Sequence, residues 1–199
     1  MIAVMERRRD TDISPPAPGE LELVRSFLSV HDHMGSDPMS LPPSHASLRT
    51  FFVEHGLIDP DEPASERSLR SASLVHAALH RKVEGRTGAE PTAAEPSVVD
   101  EAAREAGLEL HFGSEGPPRI EPTTRGVAGA LGRILAAAFL AQLDGTWDRL
   151  KECSDDTCIS VFYDRSKNHS GKWCSMQSCG NRNKVRAWRA RQHAGGPPA

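Results

Sequence analysis

The stretch CSDDTCISVFYDRSKNHSGKWCSMQSC, residues 153–179, holds all four cysteines of the chain and decides how its C-terminal part folds. The cysteines form two close pairs, with four residues inside each pair and fifteen between the pairs. Thiolates are soft ligands that zinc accepts in tetrahedral sets of four, whereas magnesium and calcium prefer oxygen. The spacing therefore predicts one zinc site. Its expected ligands are Cys153, Cys158, Cys174 and Cys179.

Two other uses of the four cysteines stay open on sequence alone. An iron–sulfur cluster also takes four thiolates, and two disulfides would need an oxidising compartment. The N-terminus, MIAVMERRRD, places its charges after its apolar residues, which is the reverse of a secretory signal. We therefore expect a cytoplasmic protein with zinc as its cofactor. Because four protein ligands leave no position for water or substrate, the metal is predicted to be structural.

A basic segment follows the first cysteine pair and continues past the second. Residues 165–194 contain eight lysines and arginines and no acidic residue. The run from Lys184 to Gln192 is rich in helix-forming residues, and Ser175 or Ser178 can cap the start of a helix. The finger is therefore expected to end in a basic helix.

On such a helix one face carries four basic side chains, at spacings of four, three and four residues: Arg182, Arg186, Arg189 and His193. This row is expected to face a nucleic acid, because arginine bridges phosphates and grips guanine edges. Val185 and Trp188 lie beside the row and are expected to pack on the zinc knuckle. The predicted nucleic-acid contacts are Arg165, Lys167, Lys172, Arg182, Lys184, Arg186, Arg189 and Arg191.

The charge of the chain is divided unevenly. The formal net charge is -3, yet residues 146–194 carry ten basic and five acidic side chains, which leaves a charge of -8 on the remainder. A basic terminal module on an acidic body is typical of nucleic-acid-binding proteins. The favoured interpretation is a DNA-binding transcription regulator. RNA binding, docking on an acidic protein partner and plain solvation are alternatives that the charge pattern leaves open.

The first two thirds of the chain show helical periodicity. Apolar residues recur every three or four positions from Glu20, after Ser44, from Ser65 to Gly85, after Ser97 and from Thr124 to Asp144. Residues 108–112, LELHF, alternate strictly between apolar and polar, which predicts a half-buried strand. Residues 119–121 can pair with this strand as a hairpin. The predicted fold class is mainly α (α+β).

Loops rich in proline and glycine divide the chain. We predict a disordered segment at 1–19, a helical domain at 20–145, a zinc finger at 146–193 and a disordered tail at 194–199. The apolar run 134–143 is too short to cross a membrane. The helix that contains it, 124–144, is expected to be the central helix of the first domain or a dimerisation helix. A homodimer is expected because one finger buries little surface on DNA.

The finger region resembles a known family. The strings Trp173-Cys174-Ser175-Met176 and Cys179-Gly180-Asn181-Arg182, with Asp164-Arg165-Ser166-Lys167-Asn168 upstream, are similar to the CGNR-type zinc finger. In that family the finger follows a helical domain called ABATE, in proteins described as stress-induced bacterial transcription regulators. The segments LELVRSFLSV, FFVEHGLI, SLRSASLVHAALHRKVEG and LELHF resemble the layout of that domain. We therefore expect DNA as a partner, and a first domain that senses a small-molecule effector or pairs with a second chain.

The sequence lacks recognisable catalytic motifs. A nucleophile elbow, a Walker loop and a dinucleotide fingerprint are all missing. His31 and His33 are two residues apart and would point in different directions on a helix. His76 and His80 have a spacing that suits zinc, but the glutamate that zinc proteases carry between their two histidines is missing. We therefore expect both side chains to pack within the fold. The prediction is that the protein is not an enzyme; the alternative is an active site within 20–145.

Overall fold

Six helices and two antiparallel hairpins make up the part of the chain that the structure describes. The computed structural model describes residues 14–31, 43–84, 95–113 and 116–194. The elements in chain order are α1 (Leu21–Leu28), α2 (His45–Glu54), α3 (Glu66–Glu84), α4 (Glu95–Ala106), β1 (Leu108–His111), β2 (Arg119–Pro122), α5 (Gly126–Leu143), β3 (Leu150–Glu152), β4 (Val161–Tyr163) and α6 (Asn181–Ala194). The sequence predicts loops at 35–43 and 85–96 from their glycine and proline residues, and most of both stretches lies outside the described residues. The mainly α (α+β) fold class is confirmed.

Helix α5 is the centre of the helical part. It packs against α1, α3, α4 and β2, and eleven of its residues are buried. Its small residues let neighbours approach closely: a Cβ at Gly132 would lie 2.7 Å from Pro122 Cβ and 2.8 Å from Ala106 Cβ. The segment predicted at 124–144 is thus the central helix of this part of the fold.

Gly132→Ala is expected to destabilise the protein, although alanine is the better helix former. The gain in helix propensity is about 1 kcal/mol, but the new methyl group would overlap Pro122 and Ala106, and such overpacking costs about 1–3 kcal/mol. We expect the free energy of unfolding in urea to fall by about 1 kcal/mol. Arg133→Ala, at the neighbouring exposed position, should leave it within about 0.5 kcal/mol. A stability gain in Gly132→Ala would contradict the close packing of α5 against β2.

Strands β1 and β2 form the predicted hairpin, with Leu108 opposite Pro122. The prediction that the first strand is half-buried along its length is wrong. Only Leu108 is partly buried, whereas Leu110 and Phe112 are 65% and 77% exposed. The hairpin rests on α5 where Leu108 reaches Gly132, and none of the described residues buries Leu110 or Phe112. Of the apolar residues in the alternating pattern, only the first, Leu108, therefore packs against the core.

Helix α5 is longer than the apolar run predicted at 134–143. Its 18 residues have a mean hydropathy of 1.6, which by length and composition is enough to cross a membrane. However, 61% of them are buried inside the fold, as in the core helix of a globular protein. Phe139, Leu140 and Leu143 are 52%, 45% and 70% exposed. The last turn of the helix directs Ala141 to the core and leaves the apolar side chain of Leu143 in solvent.

The zinc-finger region shares a hydrophobic core with the helices. Its hairpin, β3 paired with β4, packs against α1 and α3, and Leu150 and Val161 are fully buried. The carbonyl of Val161 accepts hydrogen bonds from Ser29 Oγ at 3.2 Å and from Arg25 Nη1 at 3.3 Å. Arg25 is itself buried and forms an ion pair with Glu22 at 2.6 Å. Helix α1 therefore fixes the position of the finger's hairpin.

The chain just before α1 is also packed. Within the segment expected to be disordered, Ser14 and Ala17 are buried. The backbone N–H of Ala17 donates to Glu22 Oε2 at 2.6 Å, and Arg165 of the finger donates to the carbonyl of Pro16. Residues 14–19 are therefore ordered, because α1 and the finger take up their backbone hydrogen bonds. Residues 1–13 and 195–199 lie outside the described part of the chain.

Two histidines of α3 lie inside the core. His76 and His80 are 0% and 1% exposed, and their ring centroids are 5.8 Å apart. Neither ring nitrogen of His76 has a hydrogen-bond partner among the described residues, and the ring packs edge-on against Phe27 at 5.2 Å. Burial first, and the neighbouring His80 second, lower the pKa of His76 to about 3. These surroundings favour an uncharged side chain that serves packing.

The buried His76 is expected to make the protein less stable in mild acid. Its pKa falls from 6.5 to about 3 on folding, so its contribution to stability is complete above pH 6.5 and is lost progressively as the pH falls towards 3. Between pH 7.5 and pH 5 this costs about 2 kcal/mol of unfolding free energy. In urea titrations at both pH values, His76→Leu should reduce the pH dependence by that amount, and His111→Gln in the exposed strand should not. An undiminished pH dependence in His76→Leu would contradict the assignment.

Candidate zinc centre

Two turns bring the four cysteine sulfurs together. All four Sγ atoms lie within 4.8 Å of one another. Cys174 Sγ is 3.7 Å from Cys158 Sγ and 3.6 Å from Cys179 Sγ. Tetrahedral zinc, with Zn–S bonds of about 2.3 Å, places its sulfurs about 3.8 Å apart. The spacing therefore fits one zinc ion, and because all four cysteines are free, the disulfide interpretation is wrong.

Crowding by the neighbouring sulfurs opposes the ionisation of Cys174. Contact with Cys153 first, and with Cys158 second, raises the pKa of the Cys174 thiol. Zinc favours the thiolate forms, so its binding releases protons and becomes tighter as the pH rises. Two donors support the sulfurs from outside: the backbone N of Cys174 lies 3.5 Å from Cys153 Sγ, and Arg182 Nη2 lies 3.1 Å from Cys179 Sγ. Such contacts orient metal ligands and offset their excess negative charge.

A buried carboxylate, Asp155, joins the first cysteine pair to α6. Its Oδ1 accepts hydrogen bonds from Thr157 N at 2.9 Å and Thr157 Oγ1 at 2.7 Å. Its Oδ2 accepts from Arg182 Nε at 2.8 Å and Asn183 Nδ2 at 2.7 Å. Burial alone would raise the pKa of Asp155, but these donors lower it to about 2. The helix is therefore tied to the zinc knuckle by a charged, fully satisfied side chain.

Two arginines from the predicted nucleic-acid row face the zinc knuckle. Arg182 pairs with Asp155, and the pKa of Arg182 is raised by that carboxylate first and by the Cys179 sulfur second. Arg186 lies 3.3 Å from Asp156 Oδ2 and 3.9 Å from Asp155 Oδ1. These two arginines therefore hold α6 against the knuckle. The side chain of His193, the last member of the row, lies outside the described part of the structure.

The opposite side of α6 is open to solvent. Val185 and Trp188 are 47% and 56% exposed, so the prediction that they pack on the knuckle is wrong. The physical reason is that the buried carboxylate of Asp155 pairs with Arg182, so the side of α6 that carries the arginines faces the knuckle. Lys184 and Arg191 lie four residues before and three residues after Trp188, and therefore share its open side.

The second cysteine pair leads directly into α6. Ser175 Oγ accepts a hydrogen bond from Ser178 N at 3.2 Å, which confirms the predicted cap. A Cβ at Gly180 would lie 2.9 Å from Met176 Sδ and 3.3 Å from Trp173 Cδ1. Glycine at position 180 therefore has a structural use, because it lets the turn close against these two side chains.

A second buried carboxylate, Asp164, shapes the loop between β4 and the second cysteine pair. It accepts hydrogen bonds from Lys151 Nζ at 2.6 Å and from the backbone N of Ser166 and Gly171, each at 2.9 Å. Burial would raise the pKa of Asp164, but Lys151 and then Ser166 hold it well below its usual range. A Cβ at Gly171 would lie 2.6 Å from Asp164 Oδ1. The loop that carries Lys167 and Lys172 is thus fixed near its start at Ser166 and near its end at Gly171.

The eight predicted nucleic-acid contacts fall into two groups. Arg165 donates to the Pro16 carbonyl and lies over the Tyr163 ring, while Arg182 and Arg186 pair with carboxylates of the knuckle. The remaining five are exposed and form no ion pair with any described residue: Lys167, Lys172, Lys184, Arg189 and Arg191. The fold therefore leaves five cations available to a partner.

Two family models match the chain, one on each side of residue 147. Residues 149–192 match the CGNR zinc finger. Residues 20–145 match ABATE, a family whose description is "putative stress-induced transcription regulator". The chain belongs to the ABATE family. A search of curated proteins finds no significant match.

The two family matches agree with the chemistry of the site. A CGNR finger with four clustered cysteines confirms zinc as the cofactor of this ABATE protein and decides against an iron–sulfur cluster. The ABATE description is that of a regulator, and neither family is described as an enzyme. The ABATE protein is therefore a regulator-type protein with a zinc site.

Proposed function

We propose that this ABATE protein is a transcription regulator whose CGNR finger binds DNA through the exposed cations of α6 and of the loop before it. The observation that supports the proposal is a set of five exposed cations that pair with no described acidic residue, on the segment that also carries the four clustered cysteines. DNA presents closely spaced phosphates, and cations that contact them release bound counterions. The remainder of the chain carries a charge of -8 and repels DNA, which leaves the finger as the contact surface.

The eight basic residues have two roles in this proposal. Arg165, Arg182 and Arg186 position the loop and the helix through their partners within the protein. Direct phosphate contacts come from the remaining five: Lys167, Lys172, Lys184, Arg189 and Arg191. RNA binding and docking on an acidic protein use the same cations, and both are outcomes that the binding assay distinguishes.

Fluorescence anisotropy with labelled duplex DNA tests the proposal. If five cations contact phosphates, log K should fall against log salt with a slope of about -4. The double variant Lys184→Ala/Arg191→Ala should make that slope shallower by about 2. Arg67→Ala, which removes one charge from an exposed position on α3, should leave the slope unchanged. Salt-insensitive binding, or tighter binding to RNA or to poly-glutamate than to DNA, would contradict DNA as the partner.

We further propose that the protein is a homodimer, with α5 as the contact. Phe139, Leu140 and Leu143 form an exposed apolar group on the last two turns of that helix. One finger alone buries less surface than specific DNA sites need, so two fingers favour specific binding. Sedimentation at micromolar concentration should give the mass of two chains, and Phe139→Lys should give one. A wild-type monomer under these conditions would contradict the dimer.

A groove in the helical part is proposed as the effector site. It has a volume of about 1010 Å³ and lies between α5, β2 and the turn after α2, which is at the upper end of small-molecule sites. Small side chains on α5 open it, among them Gly129, Ala136 and Ala137. A metabolite screen by thermal shift should find ligands that stabilise the wild type but not Ala137→Trp. Turnover of such a ligand would instead support an active site within 20–145. A cytoplasmic location is proposed with the regulatory role.

A further inference from the structure

The open side of α6 places an aromatic ring between two cations. Trp188 is 56% exposed, and Val185 beside it is 47% exposed. Lys184 and Arg191 lie about one helical turn before and after the indole, on the same side of the helix. Helix α6 contains no acidic residue, and the ion pair of Arg182 keeps this side turned outward.

The exposed indole has no structural use that the fold explains. Trp147 is buried in the shared core and Trp173 packs near Gly180, whereas Trp188 leaves about half of its surface in water and contributes little burial to stability. Single-strand-binding proteins bind nucleic acids with aromatic rings flanked by cations: the ring stacks on a base and the cations contact the phosphates. An acidic protein segment would match the cations, but a base also matches the flat face of the ring.

We infer that Trp188 stacks on an unpaired base while Lys184 and Arg191 contact the phosphates on either side, so that the finger prefers single-stranded DNA to the matched duplex. In a duplex the bases already stack on one another, and exposing one of them costs free energy. The inference rests on the proposed DNA binding and names the form of DNA that the finger holds. A regulator with this preference engages DNA where its strands are opened or a base is unstacked.

The test uses the full, zinc-loaded chain with one labelled oligonucleotide, as a single strand and as its duplex, at equal salt. The single strand should bind about fivefold more tightly than the duplex. Trp188→Ala should weaken single-strand binding about tenfold, and Trp188→Phe, which keeps an aromatic ring, less than threefold. Because Trp188 is exposed, both variants should retain zinc and the helical circular dichroism of the wild type. Poly-glutamate serves as a polyanion without bases.

Tryptophan fluorescence separates stacking from charge attraction. Single-stranded DNA should quench the fluorescence of the wild type, and most of this quenching should disappear in Trp188→Phe although that variant still binds. Of the other two tryptophans, Trp147 is buried and the half-buried Trp173 packs near Gly180. Poly-glutamate should produce little quenching. If the wild type and Trp188→Ala bind the single strand with equal affinity, the stacking inference is overturned. Salt-dependent binding to the duplex in the same experiment would leave the proposed function intact. Failure to bind any DNA would overturn both, and poly-glutamate binding as tight as the single strand would point to a protein partner instead.

Discussion

Cys174→Ser is expected to abolish zinc binding and to unfold α6 while the helical core remains. The Cys174 sulfur lies within 3.7 Å of two other ligand sulfurs, and loss of one thiolate opens the tetrahedral set. Structural zinc contributes about 10–16 kcal/mol in zinc-finger peptides. The apolar side chains of α6, Val185 and Trp188, are exposed and cannot replace that contribution.

Metal analysis and circular dichroism measure the result. Zinc should fall from one ion per chain to almost none, and helical signal equivalent to the 14 residues of α6 should be lost. Ser178→Ala is the matched control, because residue 178 lies in the same turn between two ligands and its backbone N–H makes the capping bond. The control should retain full zinc. A Cys174→Ser protein that still carries one tightly bound zinc would contradict the four-thiolate site.

The second large effect is expected from Asp155→Asn. The Asp155 carboxylate is fully buried and takes four hydrogen bonds, one of them from Arg182 and one from Asn183. The uncharged amide offers one acceptor oxygen in place of two and leaves the guanidinium of Arg182 without its carboxylate partner. Removing one member of a buried ion pair costs about 3–5 kcal/mol, and because Arg182 is partly exposed we expect about 3 kcal/mol.

Asp156→Asn provides the neighbouring control. The side chain of Asp156 is 85% exposed and pairs with Arg186 at 3.3 Å. Exposed pairs of this kind contribute less than about 1 kcal/mol. Chemical unfolding followed by the loss of zinc should therefore show a large shift for Asp155→Asn and almost none for its neighbour. Similar shifts in both variants would show that Asp155 does not join α6 to the zinc knuckle.

The elements of the fold could be predicted from local patterns. Helical periodicity identifies the helices of the first part, and Ser175, one of the two predicted caps, accepts the expected backbone hydrogen bond. Ser44 makes the same kind of bond at the start of α2. Burial was harder to predict, because periodicity identifies the apolar face of a helix or strand but does not show which other element packs against that face. The strand at Leu108–His111 therefore has the predicted hairpin partner but no core along most of its length.

The metal ligands could be predicted from spacing, whereas the direction of α6 could not. Four cysteines in two pairs predict a metal site whatever the surrounding fold, and the CGNR match identifies the metal as zinc. The side of α6 that faces the knuckle depends on a long-range pair, Asp155 with Arg182, which are 27 residues apart in the chain. A local pattern does mark the two carboxylates. Asp155 accepts a hydrogen bond from the backbone N–H of Thr157, and Asp164 accepts one from the backbone N–H of Ser166, in each case two residues further along the chain. Such Asx turns indicate fixed carboxylates, but not their distant partners.

The central claim is that zinc holds α6 so that its open side is presented to DNA. Hydrogen exchange on the full chain, with zinc bound and after removal of zinc by a chelator, tests it most directly. With zinc, the amides of α6 beyond its first turn should be protected, and after chelation they should exchange at the rate of an unfolded segment while those of α5 stay protected. Equal protection of α6 in both states would contradict the claim, since the helix would then owe its position to something other than the metal.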